Sequence, residues 1–166
     1  MVPITIVQEA LQFNSWVSGD GNMAQRLSDV IRNSPVRVVP GRYAVVLCAD
    51  PPDDLDCFMI ARDADEVTVI AEESRLSGLP ALAAQRGYRL VAIEVAAPFQ
   101  AVGFLSTVTG ALAGAGLDTL VVSTYSKDYV LLKDESVADG LQALAEAGFT
   151  VPTAPARATD SRGRGE

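Results

Sequence analysis

The strongest constraint on the fold lies in the second half of the sequence, where apolar runs and turn residues follow a regular order. The run "YRLVAIEVAA" predicts a strand, and "VGFLSTVTGALAGAG" has apolar residues at helical spacing. Two more apolar runs, "LDTLVVSTY" and "DYVLLKD", flank a polar turn and predict two strands. A second helical pattern, "ESVADGLQALAEAG", ends at Gly148, and "FTV" begins a last strand. The predicted order is therefore strand, helix, strand, strand, helix, strand.

This order is the split βαβ arrangement, which predicts an α+β fold: a ferredoxin-like βαββαβ antiparallel sheet with its helices on one face. The first half repeats the order in a degenerate form. "VRVVPGRYAVVLCAD" is strand-rich and broken at Pro40-Gly41, and "CFMIARDADEVTVIAEE" predicts a hairpin with a charged turn at Arg62 to Glu66. "GLPALAAQRG" predicts a short helix that starts with Pro80 and stops at Gly87. We therefore predict two sheets of this type, the first with a poor first helix.

The chain divides into four predicted segments. Residues 1–35 form a leader of unknown role, residues 36–87 a degenerate first domain, residues 88–152 a second domain, and residues 153–166 a tail. In the leader, the spacing of the apolar residues in "NMAQRLSDVIRN" predicts a helix. The tail is rich in Pro, Ala, Gly and charge, which predicts disorder.

Composition excludes several classes of function. The net charge of −8 argues against a nucleic-acid partner, because binding phosphates needs a basic surface. No stretch reaches the roughly 20 apolar residues of a membrane span, and "MVPITIVQEA" lacks the features of a signal peptide, so we expect a cytoplasmic protein with no membrane partner. The chain has no histidine, the commonest general base and metal ligand, so we expect no metal and no cofactor. Cys48 and Cys57 are expected to be buried free thiols.

The turn in "VVSTYSKDYVLL" is more polar than a hairpin requires. Ser123, Thr124, Tyr125, Ser126 and Asp128 lie close together between two apolar strands, where a bare turn would need only Gly or Asn. We interpret this turn as the wall of a site for a small amino-acid-like ligand.

These residues also resemble a known family. "ALAGAGLDTL" followed by "STYSKDYVLL", with the Pro-Phe pair after the strand "YRLVAIEVAA", is similar to the second ACT domain of the small bacterial tandem-ACT-domain proteins, themselves similar to the CASTOR-type arginine sensors. The resemblance covers residues 36–151 and implies tandem ACT domains. Two features depart from the family: the leader is longer than usual, and Asp118 stands where related sensors often have a small hydroxyl residue.

The resemblance implies a ligand held at the seam between two ACT domains. The ligand carboxylate would meet the backbone at the start of the first helix, where Gly103 permits a close approach, and the ammonium would meet Asp128. Asp118 and Thr119 would reach the ligand from the opposite domain. Each residue also has an ordinary interpretation: Gly103 as a tight turn, Asp128 as a solvated turn residue, and Asp118 as part of a helix-to-strand turn. The complete predicted ligand set is Val102, Gly103, Phe104, Asp118, Thr119, Thr124, Tyr125, Ser126 and Asp128.

Three functions are compatible with these features. The first is a non-catalytic regulator that binds an amino acid or a related small molecule. The second is a cofactor-independent enzyme of small-molecule metabolism that uses the seam as its active site, with Asp118, Tyr125 and Asp128 for acid-base steps. The third is a structural interaction protein, which the polar turn disfavours. We expect a homodimer, because a chain with two such domains needs a second copy to supply the opposite wall, and a further protein partner is compatible with a regulator.

Overall fold

The computed structural model describes residues 23–51, 54–96 and 101–152. Three α-helices and seven strands occur in these ranges, together with two short 3-10 helices, Glu73–Arg75 and Asp134–Ser136. The helices are α1 (Met23–Arg32), α2 (Phe104–Gly114) and α3 (Val137–Glu146). The strands are β1 (Val36–Val38), β2 (Tyr43–Cys48), β3 (Met59–Arg62), β4 (Val67–Glu72), β5 (Ala81–Glu94), β6 (Leu120–Ser123) and β7 (Lys127–Lys133).

All seven strands belong to one antiparallel sheet with the order β3-β4-β2-β5-β7-β6, and β1 also pairs with β5. The long strand β5 serves both halves of the chain. Its first part, from Ala81 to Gln85, pairs with β2, and its second part, from Tyr88 to Glu94, pairs with β7. The α+β fold with an antiparallel sheet is confirmed, and the two predicted sheets are fused into one through β5.

The three helices cover one face of the second half of this sheet. Val91 and Ile93 of β5 and Val130 and Leu132 of β7 form a buried core with residues from all three helices, among them Leu112. The alternate residues of the same strands, such as Leu90 and Leu131, pack on the opposite face. This arrangement fixes α2 above the strands that lead to the polar turn.

The first half has no α-helix among its described residues, 36–51 and 54–87. Its sheet buries Ala44, Val46 and Val69 under loop residues such as Leu55 and Leu76. The predicted helix from Pro80 to Gly87 is wrong, because Ala81 begins β5. Ladder pairing with β2 overrides the helical propensity of the alanines, and Gly87, at φ 82°, lies where the register between β2 and β5 shifts.

The structure tests three further predictions. The helix predicted in the leader is confirmed as α1. The predicted last strand is reduced to one parallel bridge between Thr150 and Pro35, because β1 occupies the neighbouring place along β5. Cys48 and Cys57 are free thiols, the first buried and the second half-buried. The predicted disordered tail, residues 153–166, and the first 22 residues of the leader lie outside the described residues.

No helix within the described ranges is long and apolar enough to cross a membrane.

Candidate functional site

A pocket of about 330 Å³ lies between the start of α2 and the turn that joins β6 to β7. It collects chain segments from three places in the sequence: the end of β5, the approach to α2 and the polar turn. The described residues that line it are Val95, Ala101, Val102, Phe104, Leu105, Ser123, Thr124, Tyr125, Ser126, Lys127 and Asp128.

The first turn of α2 forms one wall of the pocket. Gly103 precedes the helix at φ 88°, a left-handed conformation that favours glycine, and no side chain caps the helix end. The N–H of Phe104 donates to the carbonyl of Ala101 at 3.1 Å, and the helical ladder begins with Thr107 N–H donating to Gly103 at 2.9 Å. The N–H groups of Leu105 and Ser106 therefore have no acceptor within the helix, so this wall offers hydrogen-bond donors and the positive end of a helix dipole.

The polar turn forms the opposite wall. It is closed by Thr124 N–H donating to the carbonyl of Lys127 at 2.8 Å, and the hydroxyl of Thr124 donates to the same carbonyl at 3.2 Å. The N–H of Val95 donates to the carbonyl of Ser126 at 3.1 Å, which ties the turn to the end of β5. These bonds hold the backbone of the turn beside the pocket.

Asp128 supplies a carboxylate to this wall. Its side chain is half-buried, and the hydroxyl of Ser123 donates to its Oδ1 at 2.6 Å. Neighbouring Lys127 shares its counter-charge, because its Nζ lies 3.8 Å from Oε1 of Glu94, the oxygen that Arg37 Nε also approaches at 3.5 Å. The pocket thus has an uncapped helix end on one side and a carboxylate on the other.

The structure brings most of the predicted ligand residues together. Six of them line the pocket: Val102, Phe104, Thr124, Tyr125, Ser126 and Asp128. Gly103 lies between two lining residues. Asp118 and Thr119 do not reach this pocket, because they precede β6 at the end opposite to the polar turn, where the Thr119 hydroxyl donates to the carbonyl of Leu131 at 3.3 Å.

Sequence reasoning did not assign Val95, Ala101, Leu105 and Lys127 to the site, and it placed Ser123 in the polar turn but not in the predicted ligand set. The order of strands contained a usable signal for Val95. The predicted antiparallel pairing of "YRLVAIEVAA" with "DYVLLKD" places the end of the first run beside the polar turn. The neighbouring Ala101 and Leu105 follow from the helix start, which shares the same edge of the sheet.

Comparison with known proteins identifies the fold that carries this pocket. The model of the ACT domain family matches residues 83–146, the stretch from β5 to α3. This stretch has the ACT-domain fold. ACT domains are small-molecule-binding regulatory domains. No curated protein matches the chain.

Solved structures show the same fold over more of the chain. A protein of unknown function from Vibrio cholerae is 22% identical, with a TM-score of 0.62 over 76% of this chain and 99% of its own. A protein from Agobacterium tumefaciens is 20% identical, with a TM-score of 0.62 over 72% and 92%. The regulatory subunit of aspartate kinase from Thermus thermophilus is 13% identical, with a TM-score of 0.51 over 70% and 97%. At these identities the likeness concerns the fold.

Proposed function

We propose that the chain is a non-catalytic regulator that binds an amino acid or a related small molecule in the pocket between α2 and the polar turn. The observation that carries the proposal is the pairing of an uncapped helix start with the carboxylate of Asp128 across one pocket of about 330 Å³. That volume is at the lower end of the range for ligand sites, which suits a ligand of amino-acid size.

The two walls complement the two charges of a free amino acid. The α-carboxylate binds the N–H groups of Leu105 and Ser106, where the helix dipole favours an anion. The ammonium binds Asp128, and the hydroxyl of Ser123 keeps that carboxylate oriented. Each charge is then placed near an opposite partial or full charge, so the zwitterion is bound without leaving a buried charge unpaired.

The side chain of the ligand meets a mixed surface. Val95, Val102 and Leu105 are apolar, Thr124 and Ser126 supply hydroxyls, and Lys127 is engaged by Glu94. A single chain therefore favours a small neutral side chain. A cationic side chain becomes favourable only when another carboxylate reaches the pocket, and in our proposal Asp118 of a second copy is that group.

We further propose that two copies of the chain form a homodimer and share the site. The resemblance to the tandem-ACT proteins and the CASTOR-type sensors supports this proposal, because it implies a ligand held between two ACT domains. Strand β6 lies at the edge of the sheet, and open edges favour pairing with another chain. Large apolar side chains are exposed near this edge and the pocket: Leu120 at 43%, Val102 at 73%, Leu105 at 41% and Tyr125 at 78%. A two-fold axis perpendicular to β6 sets the two β6 strands antiparallel and brings Asp118 and Thr119 of one copy toward the other copy's pocket.

Thermal melting in the presence of each standard amino acid tests the function. A ligand that binds only the folded state adds roughly 2.7 kcal/mol at about 100 times its Kd. We expect at least one amino acid to raise the Tm of the wild type, and Asp128→Asn to abolish that rise. Asp65→Asn is the matched control, because it removes the same charge from the turn between β3 and β4. A panel that leaves the wild-type Tm unchanged contradicts the proposal.

A further inference from the structure

A fully buried hydroxyl group attaches the end of α1 to the chain directly after Val95, beside the pocket. Ser34, two residues after the helix, is completely inaccessible to solvent. Its Oγ donates to the carbonyl of Val30 in α1 at 2.7 Å and accepts the N–H of Ala96 at 3.0 Å. Ala96 directly follows Val95, a lining residue of the pocket. One hydroxyl therefore joins the end of α1 to the chain as it leaves β5.

A second contact joins α1 to Gly103, the residue before α2. A Cβ at Gly103 would lie 3.2 Å from Cδ2 of Leu27, so this side chain of α1 packs directly on the glycine that begins α2. Val30 and Ile31, one turn further along α1, are buried in the same core as Phe104. Ser34, two residues after α1, thus contacts Ala96, and Leu27 of α1 contacts Gly103.

Helix α1 is itself held in place by backbone bonds. The carbonyl of Pro35 accepts the N–H of Glu94 at 3.0 Å, and the carbonyl of Thr150 accepts the N–H of Val36 at 2.8 Å. The hydroxyl of Thr150 donates to the carbonyl of Arg32 at 3.0 Å. These bonds attach the end of α1 to β5, the strand that precedes the pocket, and to the chain that follows α3.

We propose that α1, through Ser34 and Leu27, positions the start of α2 relative to Asp128, and that both are positioning residues for the pocket. The inference rests on the proposed function for what the pocket binds. Ser34 and Leu27 do not touch the pocket themselves. They contact Ala96, next to the lining residue Val95, and Gly103, which leads directly into the helix start whose N–H groups receive the ligand carboxylate, so their loss lowers ligand affinity without removing any ligand-binding group.

Hydrogen exchange of the ligand-free protein tests the inference. In Ser34→Ala the N–H of Ala96 loses its acceptor, and we expect its exchange to accelerate about tenfold, together with that of Phe104 and Thr107, whose N–H groups donate to the carbonyls of Ala101 and Gly103 at the start of α2. Amides of β2 and β4 in the first half should exchange at the wild-type rate. The control is Ser136→Ala, because Ser136 makes no capping hydrogen bond at the start of α3 and lies outside the pocket.

The pattern of exchange separates positioning from general stability. An equal acceleration in both halves, or none at Phe104 and Thr107, would overturn the proposal. If Ser34→Ala does not fold, Leu27→Ala provides the same test at Gly103. Leu27 is only half-buried, so its loss destabilises the protein less than the loss of a fully buried side chain.

The amino-acid panel gives the second readout. Ser34→Ala should show a smaller ligand-induced rise in Tm than Ser136→Ala, and equal rises would contradict a positioning role. If no amino acid raises the wild-type Tm, the proposed function fails. The exchange pattern still decides whether α1 positions the start of α2.

Discussion

The two hairpins of the sheet have the same backbone geometry but different chemistry. In both, the last residues of the paired strands close a four-residue turn: Arg62 pairs with Val67, and Ser123 pairs with Asp128. The turn bond is also shared, from Asp63 N–H to the carbonyl of Glu66 at 3.1 Å in the first hairpin and from Thr124 N–H to Lys127 in the second. Valine thus occupies in the first half the position that Asp128 occupies in the second.

Among its described residues, the first half also has no helix start to form a second wall opposite the turn. Residues 95–119 connect β5 to β6 and contain α2, whereas the connection between β2 and β3, residues 49–58, contains no helix among its described residues. A pocket of about 360 Å³ lies beside the first turn as well, but Asp63, Asp65 and Glu66 line it. The two turns therefore share similar pocket volumes and the same closing backbone bond. Within the described residues, a helix start faces a carboxylate across the pocket at the second turn and not at the first.

The largest expected effect concerns the helix layer that distinguishes the halves. Leu112 of α2 is fully buried, and Leu112→Ala should cost about 2–5 kcal/mol of unfolding free energy because it leaves a cavity. Leu82 in the first half is 69% exposed, so Leu82→Ala should change stability by less than about 0.5 kcal/mol. Urea unfolding measures both. Similar costs for the two variants would show that the helix layer does not stabilise the second half as described.

Exchanging the residues at the matching turn positions tests whether the site can be transferred. Asp128→Val should remove the whole ligand-induced rise in Tm, because the ammonium loses its partner. Val67→Asp should add no second binding event, because the first half supplies no helix start for the carboxylate. Isothermal titration counts the sites in each variant. A second site in Val67→Asp would show that a turn carboxylate is sufficient.

Two glycines with left-handed backbone conformations allow the cost of backbone strain to be separated from the cost of a side-chain contact. Gly103→Ala and Gly78→Ala both incur about 1–2 kcal/mol for the conformation, since φ is 88° and 82°. Only Gly103 has a neighbour in the way, Leu27, whereas nothing lies within 4 Å of a Cβ at Gly78. We expect Gly103→Ala to cost about 1 kcal/mol more than Gly78→Ala in urea unfolding. Equal costs would argue against the contact between α1 and the start of α2.

The smallest effect concerns the carboxylate of the first turn. The N–H groups of Asp65 and Glu66 donate to the side chain of Asp63, and these hydrogen bonds lower the pKa of its carboxyl. Because the side chain is exposed, burial opposes this lowering only weakly. A carboxyl with a lowered folded-state pKa adds stability above its unfolded pKa, and that stability is lost as the pH falls through the folded pKa. Asp63→Asn should therefore be slightly less stable than the wild type at neutral pH and equal to it in strong acid.

Measurement by NMR titration of the Asp63 carboxyl carbon gives the midpoint directly. A midpoint at or above that of an ordinary aspartate would contradict the hydrogen-bonded turn. The result bears on the comparison, because a carboxylate satisfied by its own turn is a weaker partner for a ligand ammonium than Asp128.

The sequence predicts the elements of the second half well, because each has the residue spacing of its type. The helical spacing of Phe104, Val108 and Leu112 and the alternation in β7 both agree with the tertiary structure. It fails at Ala81 to Gln85, where small residues with high helical propensity are held in β5 by pairing with β2. That pairing joins residues far apart in the sequence, so no local pattern indicates it.

The candidate site divides in the same way. The polar turn and the glycine before α2 are recognisable locally, because turns and helix starts use characteristic residues. The contribution of Val95 and the support from Ser34 depend on which strands are neighbours and on where α1 packs. Ser34 in particular has no signal in the sequence, since a serine after a helix is commonly exposed, and only the packed structure shows its bond to Ala96.

The central claim is that the second turn binds an amino-acid-like ligand and the first does not. Amide chemical-shift mapping with ¹⁵N-labelled protein and the standard amino acids tests it most directly. The account predicts that the amino acid that raises the Tm shifts the amides of Leu105, Ser106 and Asp128 and leaves those of Asp63, Asp65 and Glu66 unchanged. Saturable shifts at the first turn, with none at the start of α2, would contradict it.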